Sequence, residues 1–223
     1  MVDINREAVD EAVASHDNVS GSVGDVSKPE DVTAALAEAT EHLGGLDVLV
    51  SNAGISGPTA PVEEYDPAAW HAVVNVNLNG NFEVVRQAVP LLKESGAGTI
   101  LVMSSLAGRF GYPNRIAYST TKWGLVGFAK TLSLELGPHG ITVNTIHPGA
   151  VEGPRLDNVF QGRADVSGRT ADEEKALAME NQAVKKFVDP ADIGALAVCL
   201  AGPHGRSFSG QQFNIDGDSK AAQ

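Results

Sequence analysis

The sequence has little cysteine, no long apolar run and no excess of positive charge, and each absence excludes a class of protein. Among its 223 residues only Cys199 carries a thiol, so no disulfide forms within the chain, which favours a reducing, cytoplasmic setting. No run of eighteen apolar residues predicts a transmembrane helix, and no basic start with an apolar stretch predicts a secretory signal. The formal net charge of −12 argues against nucleic acid or an anionic membrane as partner.

The histidines and the cysteine give no indication of a metal site. The six histidines are spread along the chain without the spacing of zinc ligands. Cys199 lies in the apolar run 195–201, where free cysteine is expected to be a small buried hydrophobic residue. The sequence therefore predicts no metal centre and places the cysteine in the core.

The chain alternates apolar strands with amphipathic helices, which predicts a single α/β domain over residues 1–223. Asn5, Asp66 and Asp189 are expected to cap helices, and Ser27 with Glu30 matches a capping box. The patterns predict strands at 19–26, 47–51, 99–103, 141–146 and 212–215, and helices at 6–15, 27–43, from 67, 116–136 and 190–202. Alternation of this kind is typical of a doubly wound parallel sheet with right-handed crossovers.

Small or polar residues follow three of the predicted strands. Asn52-Ala53-Gly54, Ser104-Ser105 and Pro148-Gly149 each come directly after a buried strand. Each group alone is only a turn signal. Because ligands of such sheets bind beyond the carboxyl ends of the strands, the three groups together predict one ligand-binding crevice.

Tyr118 and Lys122 form the strongest chemical signal in the sequence. They lie four residues apart in a predicted helix, so their side chains share a face. A nearby ammonium favours phenolate and lowers the pKa of a tyrosine, which makes the pair suitable for proton transfer. The alternative interpretation is a solvated helix face on which this spacing occurs by chance.

With their neighbours, these residues resemble the classical short-chain dehydrogenase/reductase family over nearly the whole chain. Ser105 precedes Tyr118 by thirteen positions, the separation usual in that family. The segments that carry the resemblance are Asp25-Val26, Asn52-Ala53-Gly54, 77–82, Ser104-Ser105, 118–122, Val143-Asn144, Pro148-Gly149, 209–211 and 215–217. The resemblance implies a Rossmann-type fold and the NAD-dependent interconversion of a secondary alcohol and a ketone, small molecules both.

The resemblance also implies a role for each of four residues. Tyr118 is implied to be the general acid/base, and Lys122 to lower its pKa and hydrogen-bond the nicotinamide ribose. Ser105 is implied to hold and polarise the substrate oxygen, and Asn77 to position a water in a proton relay. In the oxidising direction Tyr118 takes the hydroxyl proton while the carbinol carbon loses a hydride. The structural alternatives are a helix or turn cap for Ser105 and a satisfied polar residue for Asn77.

The same resemblance implies which residues bind the cofactor. Asp3 corresponds to an acidic residue that binds the adenosine ribose and repels a 2′-phosphate, which favours NAD over NADP, although Arg6 is close in sequence. Asp25 and Val26 are implied to flank the adenine. The other residues implied to bind the cofactor are Asn52, Ala53, Gly54, Tyr118, Lys122, Pro148, Gly149 and Val151. Gly153 stands where the family often has a threonine that contacts the carboxamide.

The sequence departs from the family at its start. The family begins with a strand, a Gly-rich turn and a helix, and roughly thirty residues of this kind are absent, so the sheet is expected to be N-terminally incomplete. The strand at 47–51 then has an unpaired edge, and NAD binding by residues 1–223 alone is expected to be weak. A start placed too far downstream and a genuine truncated chain both explain the departure.

Two functions therefore stay open. The first is an NAD-dependent dehydrogenase or reductase, and the second is a non-catalytic fragment that associates with full-length relatives. The helix at 116–136 corresponds to one that pairs across a dimer interface in the family, which implies a homodimer or homotetramer.

The segment 151–187 corresponds to the substrate lid. In it Arg155 either meets a substrate carboxylate or phosphate or pairs with Glu152 or Asp157, and Arg109 and Arg115 have the same alternatives.

Overall fold

The structure is a computed structural model that describes residues 1–222. The strands are β1 (Val2–Asp3), β2 (Ser22–Val23), β3 (Val48–Ser51), β4 (Thr99–Met103), β5 (Thr142–Pro148) and β6 (Gln212–Ile215). The helices are α1 (Arg6–Ser15), α2 (Pro29–Leu43), α3 (Pro67–Val74), α4 (Asn81–Ser95), α5 (Ile116–Leu136), α6 (Pro154–Ser167), α7 (Ala171–Glu180) and α8 (Pro190–Ala201). A π-helical segment, Asn75–Gly80, joins α3 to α4.

The strands form a parallel, doubly wound arrangement, which confirms the predicted fold class. Strands β3, β4, β5 and β6 pair side by side in chain order, and every pair is parallel. Successive residues of β4 face opposite layers, since side chains of a strand alternate between its two faces. Ile100 and Val102 pack with α4 and α5 in the main core cluster. Leu101 packs on the other face with Leu200 of α8.

The sheet is divided in two. Strands β1 and β2 form a separate parallel pair, and within residues 1–222 the strand β3 pairs only with β4. Apolar side chains stay exposed on β1 and β3, with Val2 at 41%, Val48 at 37% and Val50 at 46% of full exposure. The unpaired edge that the sequence predicts for 47–51 is therefore present.

Helix boundaries follow the predicted caps closely. The Asn5 side chain accepts hydrogen bonds from the first turn of α1, and Asp66 and Asp189 do the same for α3 and α8. Helix α5 and strands β4 and β6 have the predicted bounds, whereas β5 begins one residue later than expected and continues to Pro148.

Three sequence predictions are wrong. The capping box does not form, because the Ser27 hydroxyl donates to the Asp25 carboxylate and Lys28 occupies the cap position of α2. The strand expected over 19–26 is limited to β2, since its partner β1 offers only two residues. Cys199 is exposed, because α8 turns Ile193, Leu196, Ala197 and Leu200 towards the sheet and leaves the cysteine outside that stripe.

Candidate active site

The three strand ends meet at one cavity of about 320 Å³. Parallel strands present their carboxyl ends at the same edge, and the loops after β3, β4 and β5 converge there. The structure brings together at this cavity eight of the residues predicted from the sequence: Asn52, Gly54, Ser105, Tyr118, Lys122, Pro148, Gly149 and Val151. The predicted crevice is therefore found.

Tyr118 and Lys122 lie one turn apart on α5 and face this cavity. The Lys122 ammonium is 5.6 Å from the centre of the Tyr118 ring, and its Nζ donates to the Met103 carbonyl at 2.7 Å. Lys122 is only 3% exposed. Burial, with a smaller contribution from the positive charge of Arg155, lowers the pKa of Lys122 to about 7. Burial and this hydrogen bond therefore hold the Lys122 amine beside the Tyr118 ring.

Ser105 follows β4 and faces the cavity opposite the helix. Its Oγ accepts a hydrogen bond from the Ala107 amide at 3.2 Å, which leaves the hydroxyl proton free to donate to a ligand. The neighbouring Ser104 is buried and its hydroxyl donates to the Lys122 carbonyl at 2.9 Å. Ser105 is thus both the cap of a short 3₁₀ turn and a donor in the cavity wall.

His147 contacts the Ser105 backbone behind the cavity, a contact that the sequence did not indicate. It is fully buried in β5, and its Nδ1 lies 3.0 Å from the Ser105 carbonyl. Because a carbonyl only accepts, Nδ1 carries the proton, while Nε2 lies 2.8 Å from the Thr145 hydroxyl. Burial lowers the pKa of His147, which favours this neutral form. Its place directly before Pro148-Gly149 is the only sequence feature that relates His147 to the cavity.

Asn77 lies behind the cavity wall, fully buried in the π-helical segment. Its Oδ1 accepts from the Ile55 amide at 2.8 Å, and its Nδ2 donates to the Ile55 carbonyl at 2.9 Å. Nδ2 also lies 3.2 Å from the hydroxyl of Thr121, which donates to the Tyr118 carbonyl. Asn77 therefore ties the loop after β3 to the helical turn that carries Tyr118, and Thr121 is a second residue that the sequence reasoning missed.

The residues assigned to the adenine half lie away from this cavity. Asp3 ends β1 and accepts from the Asn5 amide at 2.9 Å. The Asp25 carboxylate accepts from the Ser27 hydroxyl and amide, and these hydrogen bonds lower the pKa of Asp25. Val26 packs against Gly80, where an added Cβ would come within 2.9 Å of Val26 Cγ2. Ala53 also lies outside the cavity lining.

The cavity fits the nicotinamide end of a dinucleotide. Gly54 is tightly placed, since an added Cβ would lie 3.1 Å from Asn77 Oδ1 and 3.7 Å from Lys122 Nζ. At Gly149 an added Cβ would lie 2.9 Å from the Asp216 backbone. Close packing within the protein therefore requires glycine at both strand ends. Residues 1–222 contain no Gly-rich turn that leads into a helix N-terminus at this edge, so the fit is limited to the nicotinamide half.

The segment 151–187 forms one wall of the cavity. Helices α6 and α7 contribute Leu156, Val159, Phe160, Arg163 and Ala178 to the lining. Gly153, which precedes α6, has a φ of +133°, a conformation that residues with side chains rarely adopt. The glycine at this position therefore suits the backbone in a way that threonine does not.

Residues 1–222 contain neither a cluster of metal ligands nor a membrane-crossing helix. No group of three His, Cys, Asp or Glu side chains lies close enough together to hold a metal ion. No helix in this part of the chain has the length and apolar character to cross a membrane.

Residues 1–217 match a family model described as enoyl-(acyl carrier protein) reductase. The chain is 36% identical over 198 residues to trans-4-hydroxycyclohexanecarboxylate dehydrogenase of Sinomonas cyclohexanicum, covering 88% of this chain and 69% of that protein. Among solved structures, NAD⁺-bound xylitol dehydrogenase matches with a TM-score of 0.92 at 27% identity, covering 97% of this chain and 86% of that one. Actinorhodin polyketide ketoreductase with NADPH matches with a TM-score of 0.91 at 30% identity, covering 97% and 85%.

Proposed function

The chain belongs to the classical short-chain dehydrogenase/reductase family, and we propose that it interconverts a secondary alcohol and a ketone with NAD at the Tyr118 cavity. The observation that carries the proposal is the placement of Tyr118, Lys122 and Ser105 around one cavity at the sheet edge. The names of the relatives describe dehydrogenases, such as trans-4-hydroxycyclohexanecarboxylate dehydrogenase and xylitol dehydrogenase. These names support an oxidoreductase activity for this chain.

Tyr118 is the proposed general acid/base. In the oxidising direction its phenolate removes the proton of the substrate hydroxyl, and in the reducing direction its hydroxyl returns a proton to the ketone oxygen. Lys122 is proposed to assist this exchange from one helical turn away, where its protonated form favours a negative charge on the neighbouring oxygen. The Ser105 hydroxyl donates to the substrate oxygen and holds it beside Tyr118. When bound, the nicotinamide supplies or accepts the hydride.

Asn77 is proposed to support this chemistry from behind the cavity wall. Its side chain is fully engaged with Ile55 and Thr121, which favours a role in fixing the catalytic turn. The water relay implied by the family resemblance is a further proposal for the same residue. His147 is proposed to hold Ser105 in register through its carbonyl.

NAD is the proposed cofactor, with NADP the weaker candidate. The carboxylate of Asp3 stands at the end of β1, where it would repel a 2′-phosphate. Arg6, the nearest cation in sequence, is paired with Asp10 at 3.7 Å, which supports the preference for NAD. Asp25 and Val26 are proposed to flank the adenine, and Ala53 with the strand-end residues to line the cofactor path.

Self-association into a dimer or tetramer is proposed on the exposed face of α5. Ile116, Trp123 and Leu134 are 37%, 49% and 72% exposed, and spacings of seven and eleven residues place them on one helix face. Sedimentation of the native protein should give a dimer or tetramer, and Leu134→Glu should shift it towards monomer.

The single cysteine favours a cytoplasmic location.

The test of the proposed activity uses the protein purified from its own cells. It is mixed with NAD or NADP and a panel of secondary alcohols, and the absorbance of the reduced nicotinamide is followed. We expect reduction of NAD by at least one alcohol, and a Tyr118→Phe variant should be slower by about 10²–10⁴-fold. Equal rates for Tyr118→Phe and the native protein would remove Tyr118 from the chemistry.

The second candidate is a non-catalytic chain that associates with full-length subunits. The divided sheet and the exposed valines of β1 and β3 favour it, because the cofactor site described is only half complete. The intact mass of the native protein separates the two candidates. A mass several kilodaltons above 23.2 kDa favours the enzyme, whereas a matching mass with no NAD binding favours association alone.

A further inference from the structure

Three arginines line the cavity next to Tyr118, and only one acidic residue, Glu152, lines it with them. The arginines are Arg115 at the start of α5 and Arg155 and Arg163 on α6. Whether these cations have structural partners decides what the cavity is built to bind. For Arg115 and Arg155 the sequence left two alternatives, ion pairs within the protein or contact with an anionic substrate.

Arg115 is a buried cation whose hydrogen-bond partners are all neutral. It is 3% exposed, and it donates to the Thr59 hydroxyl at 3.2 Å and the Ser56 carbonyl at 3.1 Å. Its Nε is buried without a hydrogen-bond partner. Burial is the main cause that lowers the pKa of Arg115. A charge removed from water without a counter-ion is costly, so this position would gain from a bound anion.

The hydrogen-bond partner of Arg163, on α6, is also a neutral group. Arg163 donates to the Tyr112 hydroxyl, while its Nη1 is buried without a partner. Tyr112 lies between the two cations, with its ring centre 5.0 Å from the Arg163 guanidinium carbon and 5.5 Å from that of Arg115. The positive charge of Arg163 contributes to the lowered pKa of Arg115, so the two cations lie near each other.

Among residues 1–222, no carboxylate forms an ion pair with Arg115 or Arg163. Glu174 is near enough for Arg163 to help lower its pKa. The Glu174 carboxylate is already bound by the Ser167 hydroxyl and by Arg169, however. The Glu174 carboxylate therefore already has hydrogen-bond and ion-pair partners other than Arg163.

Arg109 and Arg155, for which the sequence left the same alternatives as for Arg115, differ from it in their contacts. Arg109 is neutralised by Asp216 at 2.6 Å, so the structural alternative holds there. Arg155 is exposed and pairs with neither Glu152 nor Asp157 within the described part of the chain; its Nη1 lies 3.3 Å from the Gly54 carbonyl. Arg155 thus stands on the Lys122 side of the cavity, away from the Tyr112 pair.

We propose that Arg115 and Arg163 form an anion subsite, so that the substrate is a small secondary alcohol or ketone that carries a carboxylate or phosphate group. The inference rests on the proposed function and names the substrate class of the same site. Guanidinium forks bind such groups with charge-assisted hydrogen bonds. The Arg115 guanidinium carbon is 5.4 Å from the Tyr118 ring centre, so only a few bonds separate the anionic group from the reacting carbon.

The first test measures binding and needs no hydride transfer. Calorimetry on the native protein compares cyclohexanecarboxylate, cyclohexyl phosphate and the neutral cyclohexanecarboxamide. At least one anion should bind about tenfold or more tightly than the amide, and Arg163→Met should remove most of that difference. The tighter anion identifies carboxylate or phosphate as the natural group. Equal binding of all three probes, or no binding of any, would overturn the proposal.

Charge and fold are controlled by three further variants. Arg163→Lys keeps the charge without the fork and should retain part of the preference. Arg115→Lys does the same at the buried position. Arg86→Met removes an exposed arginine that pairs with Glu83 on α4 and should leave binding unchanged. Thermal unfolding of each variant shows that lost binding does not reflect lost folding.

The second test uses turnover of 4-hydroxycyclohexanecarboxylate and its methyl ester with NAD. We expect Arg163→Met to raise KM for the acid about tenfold or more, while KM for the ester and for NAD stays unchanged. A raised KM for NAD instead would assign the subsite to the cofactor and overturn the proposal. Turnover without any preference for acid over ester would leave the oxidoreductase intact and remove only the anion subsite. Anion binding without turnover of any alcohol would remove the proposed function instead.

Discussion

At the scale of single residues, Lys122 combines a functional position with an unfavourable environment. Its charge is buried almost completely, and this burial lowers its pKa from 10.5 to about 7. Such a residue is costly for folding in its charged form. The hydrogen bond to Met103 offsets only part of that penalty. The site therefore retains a group that the protein would be more stable without.

Lys122 gives a stability prediction with a defined pH window. Between pH 7 and 10.5 the unfolded chain holds the proton that folded Lys122 has lost, so its contribution to stability rises with pH across this window. Below pH 7 both states are protonated and the full penalty remains. We expect Lys122→Met to raise Tm at pH 6 by at least about 3 °C, and the gain to shrink towards pH 10.5.

The control for this experiment is Lys93→Met, which removes an exposed lysine from α4. Calorimetric melting of the two variants and the unaltered chain at several pH values gives the comparison. A Lys122→Met variant that is less stable at pH 6, or whose Tm difference does not change with pH, would contradict the burial argument.

At the scale of elements, the π-helical segment between α3 and α4 lies behind the cavity wall and contacts the loop after β3. It contains both Asn77, which is bonded to the loop after β3, and Gly80, which packs on Val26. A Cβ at Gly80 would lie 2.9 Å from Val26 Cγ2 and 3.2 Å from its carbonyl oxygen. Because one of these atoms is backbone, the segment itself has to move to make room.

Gly80→Ala is therefore expected to destabilise the protein by about 1–3 kcal/mol and to lower activity by displacing Asn77. Urea unfolding measures the first effect. The matched control is Gly194→Ala inside α8, where an added Cβ meets nothing within 4 Å and alanine should add up to about 1 kcal/mol. Equal effects of the two substitutions would show that the close contact does not constrain the segment.

Much of this element arrangement follows from the sequence, and its failures have physical causes. Asn5, Asp66 and Asp189 cap helices because their side chains need only local amides. Ser27 fails as a cap because Asp25, two residues away, competes for its hydroxyl. His147 and Thr121 escaped prediction because their partners, Ser105 and Asn77, are far away in sequence. Tertiary hydrogen bonds of this kind leave no periodic pattern.

At the scale of the whole molecule, the divided sheet is the feature with the largest consequences. Strands β1 and β3 present unpaired edges with exposed valines, and apolar edges favour association with other chains. Asp3 and Asp25, which are proposed to bind the adenosine part of the cofactor, lie on the β1–β2 side, while the proposed catalytic residues lie beyond β3. The proposed cofactor site therefore extends over both parts.

Residues 1–223 expressed on their own are therefore expected to aggregate and to bind NAD too weakly to saturate at about 1 mM. Light scattering and calorimetry measure the two properties. Val50→Lys, at the β3 edge, should reduce aggregation. Val198→Lys, on the exposed face of α8 where Val198 is 74% exposed, is the control and should reduce it less. Tight NAD binding by this segment alone would contradict the expectation.

The most direct test of the central claim follows a labelled hydride in the native protein. A secondary alcohol with deuterium on the carbinol carbon is incubated with NAD, and the reduced nicotinamide is analysed by mass spectrometry. We expect deuterium in the nicotinamide ring, formed about 10²–10⁴-fold more slowly by Tyr118→Phe. Absence of deuterium from the ring for every alcohol tested, or transfer at an undiminished rate by Tyr118→Phe, would contradict it.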